Sequence, residues 1–146
     1  GLSKDNPEWR IPGERMKIKV DKEHIVPLSR QAVGLLKDLR SMSGHGELLF
    51  TGRNNPARPI SENTMNKAIA KMGYKGLHCS HGSRSVFSTI SNESELWSED
   101  AIELQLDHKP KDKIRAAYSR GLYLNQRRKL MQWYADYLDG LKLKGK

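Results

Sequence analysis

Apolar and polar positions alternate near the start of the chain and then recur at a helical period. Between residues 8 and 28, strand-type side chains flank a polar turn at residues 21–23, and Pro27 ends the run. This pattern predicts a β-hairpin. Its strand-type positions are Trp9, Ile11, Met16, Ile18, Val20, Ile25 and Val26.

Helical spacing follows the hairpin. Ser29 is a good N-cap for a helix that breaks within residues 41–46, and Ser61 is one for a helix that stops at Gly73. Residues 52–59 between them are rich in turn formers and predict a loop. The apolar positions of the two helices are Ala32, Val33, Leu35, Leu36 and Leu39, and then Met65, Ala68, Ile69 and Met72.

The second half of the chain also predicts helices. Residues 81–91 carry a helical pattern, and Ser98 begins a capped helix that runs to about Leu106. The pattern resumes over residues 113–138 with a break at Gly121. The side chains expected to point inward from the first of these helices are Val86, Phe87 and Ile90.

These elements predict a mainly α fold with a small β-hairpin, an α+β class, in one domain. A chain of 146 residues with 36% hydrophobic residues has room for one core. No apolar run approaches the roughly 20 residues of a membrane span, and the N-terminus has no signal-peptide core. The single Cys79 excludes an internal disulfide framework and suits a reducing compartment, so we expect a cytoplasmic protein. The expected parts are a hairpin at 8–28, a helical body at 29–139 and a basic tail at 140–146.

Charge is distributed unevenly along the chain. The formal net charge is +9, from 26 Lys and Arg against 17 Asp and Glu. Residues 1–84 sum to +7 and residues 108–146 to +8, whereas residues 85–107 contain no Lys or Arg and sum to −6. Two basic regions that flank an acidic one suit a polyanionic partner, of which nucleic acid is the commonest, although a solvated Lys-rich surface has the same composition.

Three features carry candidate chemistry. His81 and Arg84 lie three apart on a predicted helix, so they share a face and can both reach one phosphate. His108 follows the acidic helix, and Tyr118 lies between two arginines. Each feature has a structural alternative: an exposed Arg beside a satisfied His, a surface His at a helix C-terminus, and a Tyr packed in a helical core.

In this order, these residues and several short strings resemble the catalytic domain of the tyrosine recombinases, the phage integrase family. The resemblance is closest to integrases of prophages and genomic islands and covers residues 9 to about 139. The strings are Trp9-Arg10-Ile11-Pro12, Glu14-Arg15-Met16-Lys17, His24-Ile25-Val26-Pro27-Leu28-Ser29, Ser61-Glu62-Asn63-Thr64, His81-x-x-Arg84, Leu106-x-His108 and Ala117-Tyr118-x-Arg120.

The resemblance implies DNA strand cleavage and rejoining without a metal or nucleotide cofactor. Tyr118 matches the nucleophile that attacks a backbone phosphate, which forms a 3′-phosphotyrosyl link and releases a 5′-hydroxyl. His81 matches the base, and Arg84 and His108 match the groups that bind the non-bridging oxygens. Lys17 on the hairpin matches the general acid that protonates the leaving 5′-oxygen.

Two points of the match depart from the family pattern. The hairpin turn is about two residues longer than usual, so Lys19, which has the same strand parity, is the alternative to Lys17. The family also uses an Arg in a helical box upstream of the hairpin, and residues 1–8 contain no counterpart of it. We therefore expect a catalytic-domain fragment, with the arm-binding and core-binding domains absent, that is inactive by itself.

The resemblance also implies partners. These are double-stranded DNA at attachment sites in a bacterial cytoplasm and other integrase protomers, with no membrane and no small-molecule substrate. The acidic segment 85–107 is expected to face away from DNA or to contact a neighbouring protomer. The amphipathic helix at 122–139 packs either on its own domain or on the next subunit, and the sequence favours neither.

Three other functions compete with the integrase interpretation. A type IB topoisomerase-like enzyme would use the same tyrosine chemistry without exchanging partners. A catalytically silent DNA-binding module would use the basic regions alone. A metal-dependent hydrolase would use His78, Cys79, His81 and His108, but no second Cys or paired carboxylate lies at a suitable spacing.

Overall fold

The computed structural model describes residues 6–16, 23–44, 46–108 and 123–144. These residues are mostly helical and include a two-stranded antiparallel sheet, so the predicted α+β class is confirmed. The elements are β1 (Glu8–Ile11), a 3-10 turn (Gly13–Arg15), β2 (His24–Pro27), α1 (Arg30–Ser43), α2 (Thr64–Ile69) with a π-helical turn (Ala70–Tyr74), α3 (Gly82–Glu93), α4 (Glu99–Gln105) and α5 (Leu124–Lys144).

The chain divides into two compact units. The hairpin unit comprises Gly1–Val33 and Ser88–Lys146, and the middle unit comprises Gly34–Phe87. Along the sequence, α1 begins in the hairpin unit and α3 ends in it. None of the helices in the described ranges has the length and apolar character that a bilayer span requires.

The hairpin is present but its strands are short. Each has four residues, with Trp9 opposite Val26 and Arg10 opposite Ile25. Met16 was expected in a strand and lies outside it, because Pro12 leads into a 3-10 turn whose hydrogen bonds join Arg15 N–H to Pro12 O (2.9 Å) and Met16 N–H to Gly13 O (3.1 Å). Residues 17–22 of the predicted hairpin lie outside the described residues.

The core of the hairpin unit forms where α4 packs against α5. The start of α4 is fixed as the sequence predicts, because the Ser98 hydroxyl accepts from the backbone N–H of Ala101 (3.4 Å) and donates to Gln126 Oε1 of α5 (2.9 Å). The buried apolar side chains here are Ala101, Ile102, Leu104, Leu106 and Leu130. Burial of this apolar surface is the main term that stabilises the unit.

Helix α5 packs on its own chain. Gln132 accepts from the backbone N–H of Arg30 (3.0 Å) and donates to Gln31 (3.0 Å), at the start of α1. The rings of Trp97 and Trp133 lie with their centroids 5.9 Å apart. The described part of α5 therefore packs on its own unit, and docking of this helix on a next subunit stays a prediction. The helix continues to Lys144, so most of the predicted basic tail is helical.

The middle unit departs further from the sequence pattern. Ser61 does not cap α2: its hydroxyl lies 3.1 Å from the hydroxyl of Thr64, and a turn from Ser61 O to Thr64 N–H precedes the helix. Gly73 takes a left-handed φ of 94° within the π-helical turn, which agrees with its predicted role as a stop. Val86, expected to point inward, is exposed, as are Met65 and Met72, expected on one helix face, whereas Phe87 is buried as predicted.

Candidate functional site

His81 and Arg84 lie at the start of α3. His81 immediately precedes the helix, and the backbone N–H of Arg84 donates to His81 O (3.1 Å), so the two residues are one turn apart. Both side chains are exposed in the middle unit. An imidazole and a guanidinium that leave the same helix turn can approach one phosphate together.

A compact turn presents His81. The backbone N–H of Ser80 donates to Asn66 Oδ1 of α2 (2.9 Å), and the backbone N–H of Gly82 donates to the Cys79 sulfur (3.3 Å). His78 Nε2 lies 3.0 Å from Ser83 Oγ. A Cβ at Gly82 would lie only 3.3 Å from the His78 ring, so the glycine allows this ring to approach the helix start. Contacts within the turn and one with Asn66 of α2 therefore set the direction of the His81–Arg84 segment.

His108 lies in a second turn, immediately after α4 in the hairpin unit. Asp107 adopts a left-handed φ of 56°, and the backbone N–H of His108 donates to Glu103 O (2.9 Å). This reversal brings the His108 ring back over the end of α4, where Nδ1 lies 2.7 Å from Glu103 Oε2. Glu103 was not singled out from the sequence, and its only signal was an acid five residues before a candidate His.

The His108 turn is also held by the hairpin and by α5. His24 Nδ1 on β2 lies 3.5 Å from Asp107 Oδ1. Arg127, only 3% exposed, donates from Nε to Gln105 Oε1 (2.9 Å) and from Nη2 to Ile25 O (2.5 Å). Burial lowers the pKa of Arg127 to about 10, although the charge of Asp107 opposes this shift. Arg127 therefore joins α4, α5 and β2 around the base of this turn.

A buried carboxylate makes a further link between the hairpin and α5. Glu8 on β1 accepts from Arg128 Nη2 and from Arg10 Nη2 (3.0 Å), and Arg10 also pairs with Glu23 (2.5 Å). Burial alone would raise the pKa of Glu8, but hydrogen bonds and charge from Arg128 and Arg10 lower it below its usual value. These ion pairs join β1 to α5.

The acidic segment does not lie wholly away from the candidate site. Asp107 and Glu103 are two of its six acids, and both lie beside His108 or the strand that supports it. A third acid, Asp100, accepts from the hydroxyl of Tyr123 (3.1 Å). Glu103 thus contacts a predicted phosphate-binding side chain, and the expectation that the segment faces away from DNA or contacts a neighbouring protomer stays a prediction.

The remaining predicted residues fall outside the described ranges. These are the nucleophile Tyr118 and the two candidate lysines, Lys17 and Lys19. His81 and Arg84 belong to the middle unit and His108 to the hairpin unit, so their convergence on one phosphate stays a prediction.

His78 and Cys79 precede His81 in the turn before α3. Across the residues that the structure describes, no three His, Cys, Asp or Glu side chains gather as a metal ion would require. The His78 ring instead contacts Ser83, and the Cys79 sulfur accepts from the start of α3.

Comparisons with known proteins place the chain beside phage and prophage integrases. The model of the phage integrase family matches residues 2–123. The integrase of Enterobacteria phage P4 is 47% identical over 92% of this chain, and the prophage integrases IntZ and IntA of Escherichia coli K12 are 46% and 43% identical over 90% and 88% of it. These alignments cover 34%, 32% and 30% of the relatives, so the chain spans about a third of their length. No solved structure matches significantly.

Proposed function

The chain belongs to the phage integrase family, and from this membership we propose that it carries the catalytic residues of a site-specific DNA recombinase. The reaction would integrate or excise mobile DNA by cutting and rejoining strands at attachment sites. The observation that carries the proposal is the family match over residues 2–123, since this range contains all five candidate catalytic residues.

The proposed chemistry passes through a covalent protein–DNA link. The Tyr118 hydroxyl attacks the scissile phosphorus while His81 accepts its proton, which forms the 3′-phosphotyrosyl bond. Arg84 and His108 bind the non-bridging oxygens, on which negative charge grows in the transition state. Lys17, or Lys19, donates a proton to the departing 5′-oxygen. Attack by a 5′-hydroxyl of another strand reverses these steps and joins new partners, so no metal or nucleotide supplies energy.

Charge supports a DNA partner for this chemistry. The two basic regions sum to +7 and +8 and supply Lys and Arg side chains to the phosphate backbone. Backbone contacts of this kind release counterions, so binding weakens as salt rises. We expect duplex DNA to bind the 146-residue chain with a strong salt dependence, and other integrase protomers to assemble on the same DNA in the bacterial cytoplasm.

These 146 residues alone are proposed to bind DNA but to cleave it poorly. Residues 1–8 contain no counterpart of the upstream Arg that the family uses to bind the scissile phosphate. Loss of one donor to a developing oxyanion costs roughly 100- to 1,000-fold in rate. Supplying that Arg from the remainder of a longer integrase should therefore restore cleavage.

The test is covalent trapping on a nicked suicide DNA substrate with the full-length protein that carries this sequence. We expect an adduct that survives denaturant and forms in EDTA, and its loss in Tyr118→Phe. Tyr123→Phe is the matched control, because Tyr123 lies five residues later and its hydroxyl donates to Asp100. An adduct that persists in Tyr118→Phe, or that needs a divalent metal, would overturn the proposal.

Religation separates recombinase from topoisomerase-like activity. A recombinase should join the trapped strand to a 5′-hydroxyl of a second duplex and yield an exchanged product. Supercoil relaxation without exchanged product would favour the type IB alternative.

A further inference from the structure

The contact between His108 and Glu103 determines which nitrogen of the His108 ring carries the proton. An ionised carboxylate can only accept hydrogen bonds, so the 2.7 Å contact between Glu103 Oε2 and His108 Nδ1 places a proton on Nδ1. The other ring nitrogen, Nε2, is then the atom left to meet a substrate. In an imidazole, the partner of one nitrogen decides the role of the other.

The backbone of the turn brings His108 next to Glu103. The left-handed φ of Asp107 ends α4, and the hydrogen bond from His108 N–H to Glu103 O (2.9 Å) closes the turn. Main chain and side chain of His108 therefore both bind Glu103. The backbone contact and the ring contact together restrict the orientation of the ring more than either alone, because each removes rotational freedom.

The turn is supported from outside as well. Asp107 lies 3.5 Å from His24 of the hairpin, and Gln105 accepts from the buried Arg127. These contacts fix the end of α4, from which Glu103 projects. The carboxylate thus belongs to a rigid element, as a group that orients another side chain must.

We propose that Glu103 is a positioning residue for His108. Glu103 fixes the Nδ1–H tautomer of the His108 ring and directs Nε2 of that ring towards a non-bridging oxygen of the scissile phosphate. This inference rests on the proposed function. When the ring binds phosphate it carries a second proton on Nε2, and Glu103 compensates the added positive charge. An acid beside the DNA site is tolerated for that reason, since the Glu103–His108 pair has no net charge in that state.

The first test reads the tautomer directly by long-range 1H–15N NMR of the His108 ring in the 146-residue chain, at a pH where the ring is neutral. We expect the Nδ1–H form in the unaltered chain. In Glu103→Gln the amide can either accept or donate, so the ring should shift towards the Nε2–H form that free imidazoles favour. Glu99→Gln, one turn earlier on α4, removes the same charge and should leave the His108 signals unchanged.

Two results of this spectrum would overturn the inference. One is an Nε2–H ring in the unaltered chain. The other is a Glu103→Gln spectrum with the tautomer of the unaltered chain. Because Glu103 is only partly buried, the substituted chain should keep its fold, and unchanged signals from buried Ile102 and Leu130 check this.

The second test measures the rate of adduct formation on suicide DNA in the full-length protein. Glu103→Gln should slow it by about tenfold, a part of the roughly 100-fold or more that loss of a whole oxyanion donor costs, while Glu99→Gln keeps the normal rate. A changed tautomer with a normal rate would refute the positioning role and leave the proposed function intact. If the unaltered protein forms no adduct, the proposed function and the positioning role both fail. The NMR result then describes only the structure of the turn.

Discussion

The hairpin unit and the middle unit bury their side chains to different degrees. In the hairpin unit, Ile102 and Leu130 are completely buried between α4 and α5. Among the described residues of the middle unit, Phe87 is the buried apolar side chain, and 7% of it is exposed. The large apolar side chains exposed in the middle unit are Leu35, Met42, Phe50, Met65, Met72, Tyr74, Leu77 and Val86.

This difference extends to the two candidate site turns. The turn of His108 is supported by groups that are distant in sequence, such as His24 and Arg127. The turn of His81 is supported by groups nearer in sequence, such as Ser83 and, 14 positions before Ser80, Asn66 of α2. Two histidines with related proposed tasks thus lie in turns supported over different sequence distances, more than 80 positions for the His108 turn and 14 or fewer for the His81 turn. Changes to the hairpin core should therefore disturb His108 before they disturb His81.

The largest expected effect comes from truncating a core side chain in the hairpin unit and comparing it with an exposed side chain in the middle unit. Leu130→Ala removes a completely buried side chain and should lower the free energy of unfolding by about 2–5 kcal/mol. Leu35→Ala, at a side chain 71% exposed, should change it by less than about 0.5 kcal/mol. Urea denaturation followed by circular dichroism measures both. Equal losses would contradict the contrast in burial.

An intermediate effect concerns the Glu8 cluster that joins β1 to α5. Glu8→Gln should cost about 1–3 kcal/mol at neutral pH, because Arg128 and Arg10 lose a charged acceptor. Glu23→Gln is the control, since this exposed acid also pairs with Arg10 and its loss should matter little. Urea midpoints of both variants at neutral pH provide the comparison.

The pH dependence of the same cluster has a definite sign. The arginines hold the pKa of Glu8 below its ordinary value in the folded protein, despite the opposing effect of burial. The associated stability is complete above the ordinary pKa of a glutamate and is lost as the pH falls through the lowered one. Glu8→Gln should flatten this acid limb of the stability curve. An acid limb identical to that of the unaltered chain would refute the assignment.

The smallest expected effects lie in the backbone of the middle unit. Gly73→Ala should cost about 1 kcal/mol, because alanine resists the left-handed φ of 94°. Gly34→Ala lies inside α1 with open space around the added methyl, and should instead stabilise by about 0.5–1 kcal/mol. Thermal melting distinguishes the two signs. A gain at Gly73 would show that the turn does not need its left-handed conformation.

Elements with local causes were predictable from the sequence. Ser98 caps α4 and Ser29 caps α1, where its hydroxyl accepts from Ala32 N–H (3.2 Å), because a cap needs only residues three positions away. Pro27 ends β2 for a similarly local reason, since it donates no ladder hydrogen bond. Ser61 shows the limit of this reasoning. It is a residue type that caps helices, but a turn from Ser61 to Thr64 lies between it and the start of α2.

Features that depend on distant residues were not predictable from the pattern. Glu8 and Arg128 are 120 positions apart, and nothing in either local string indicates the pair. The contact of Glu103 with His108 depends on the left-handed backbone conformation of Asp107, which the string Leu106-Asp107-His108 does not predict. Met65, Met72 and Val86 follow a helical stripe yet are exposed, because periodicity identifies a face and not what covers it.

Identification of the tyrosine that joins the DNA tests the central claim most directly. The covalent adduct of the full-length protein on suicide DNA would be digested with nuclease and protease, and the nucleotide-bearing peptide sequenced by mass spectrometry. The account predicts a phosphodiester on Tyr118, with the nucleotide attached through its 3′-phosphate. A nucleotide on Tyr123, on another residue, or attached through a 5′-phosphate would contradict it.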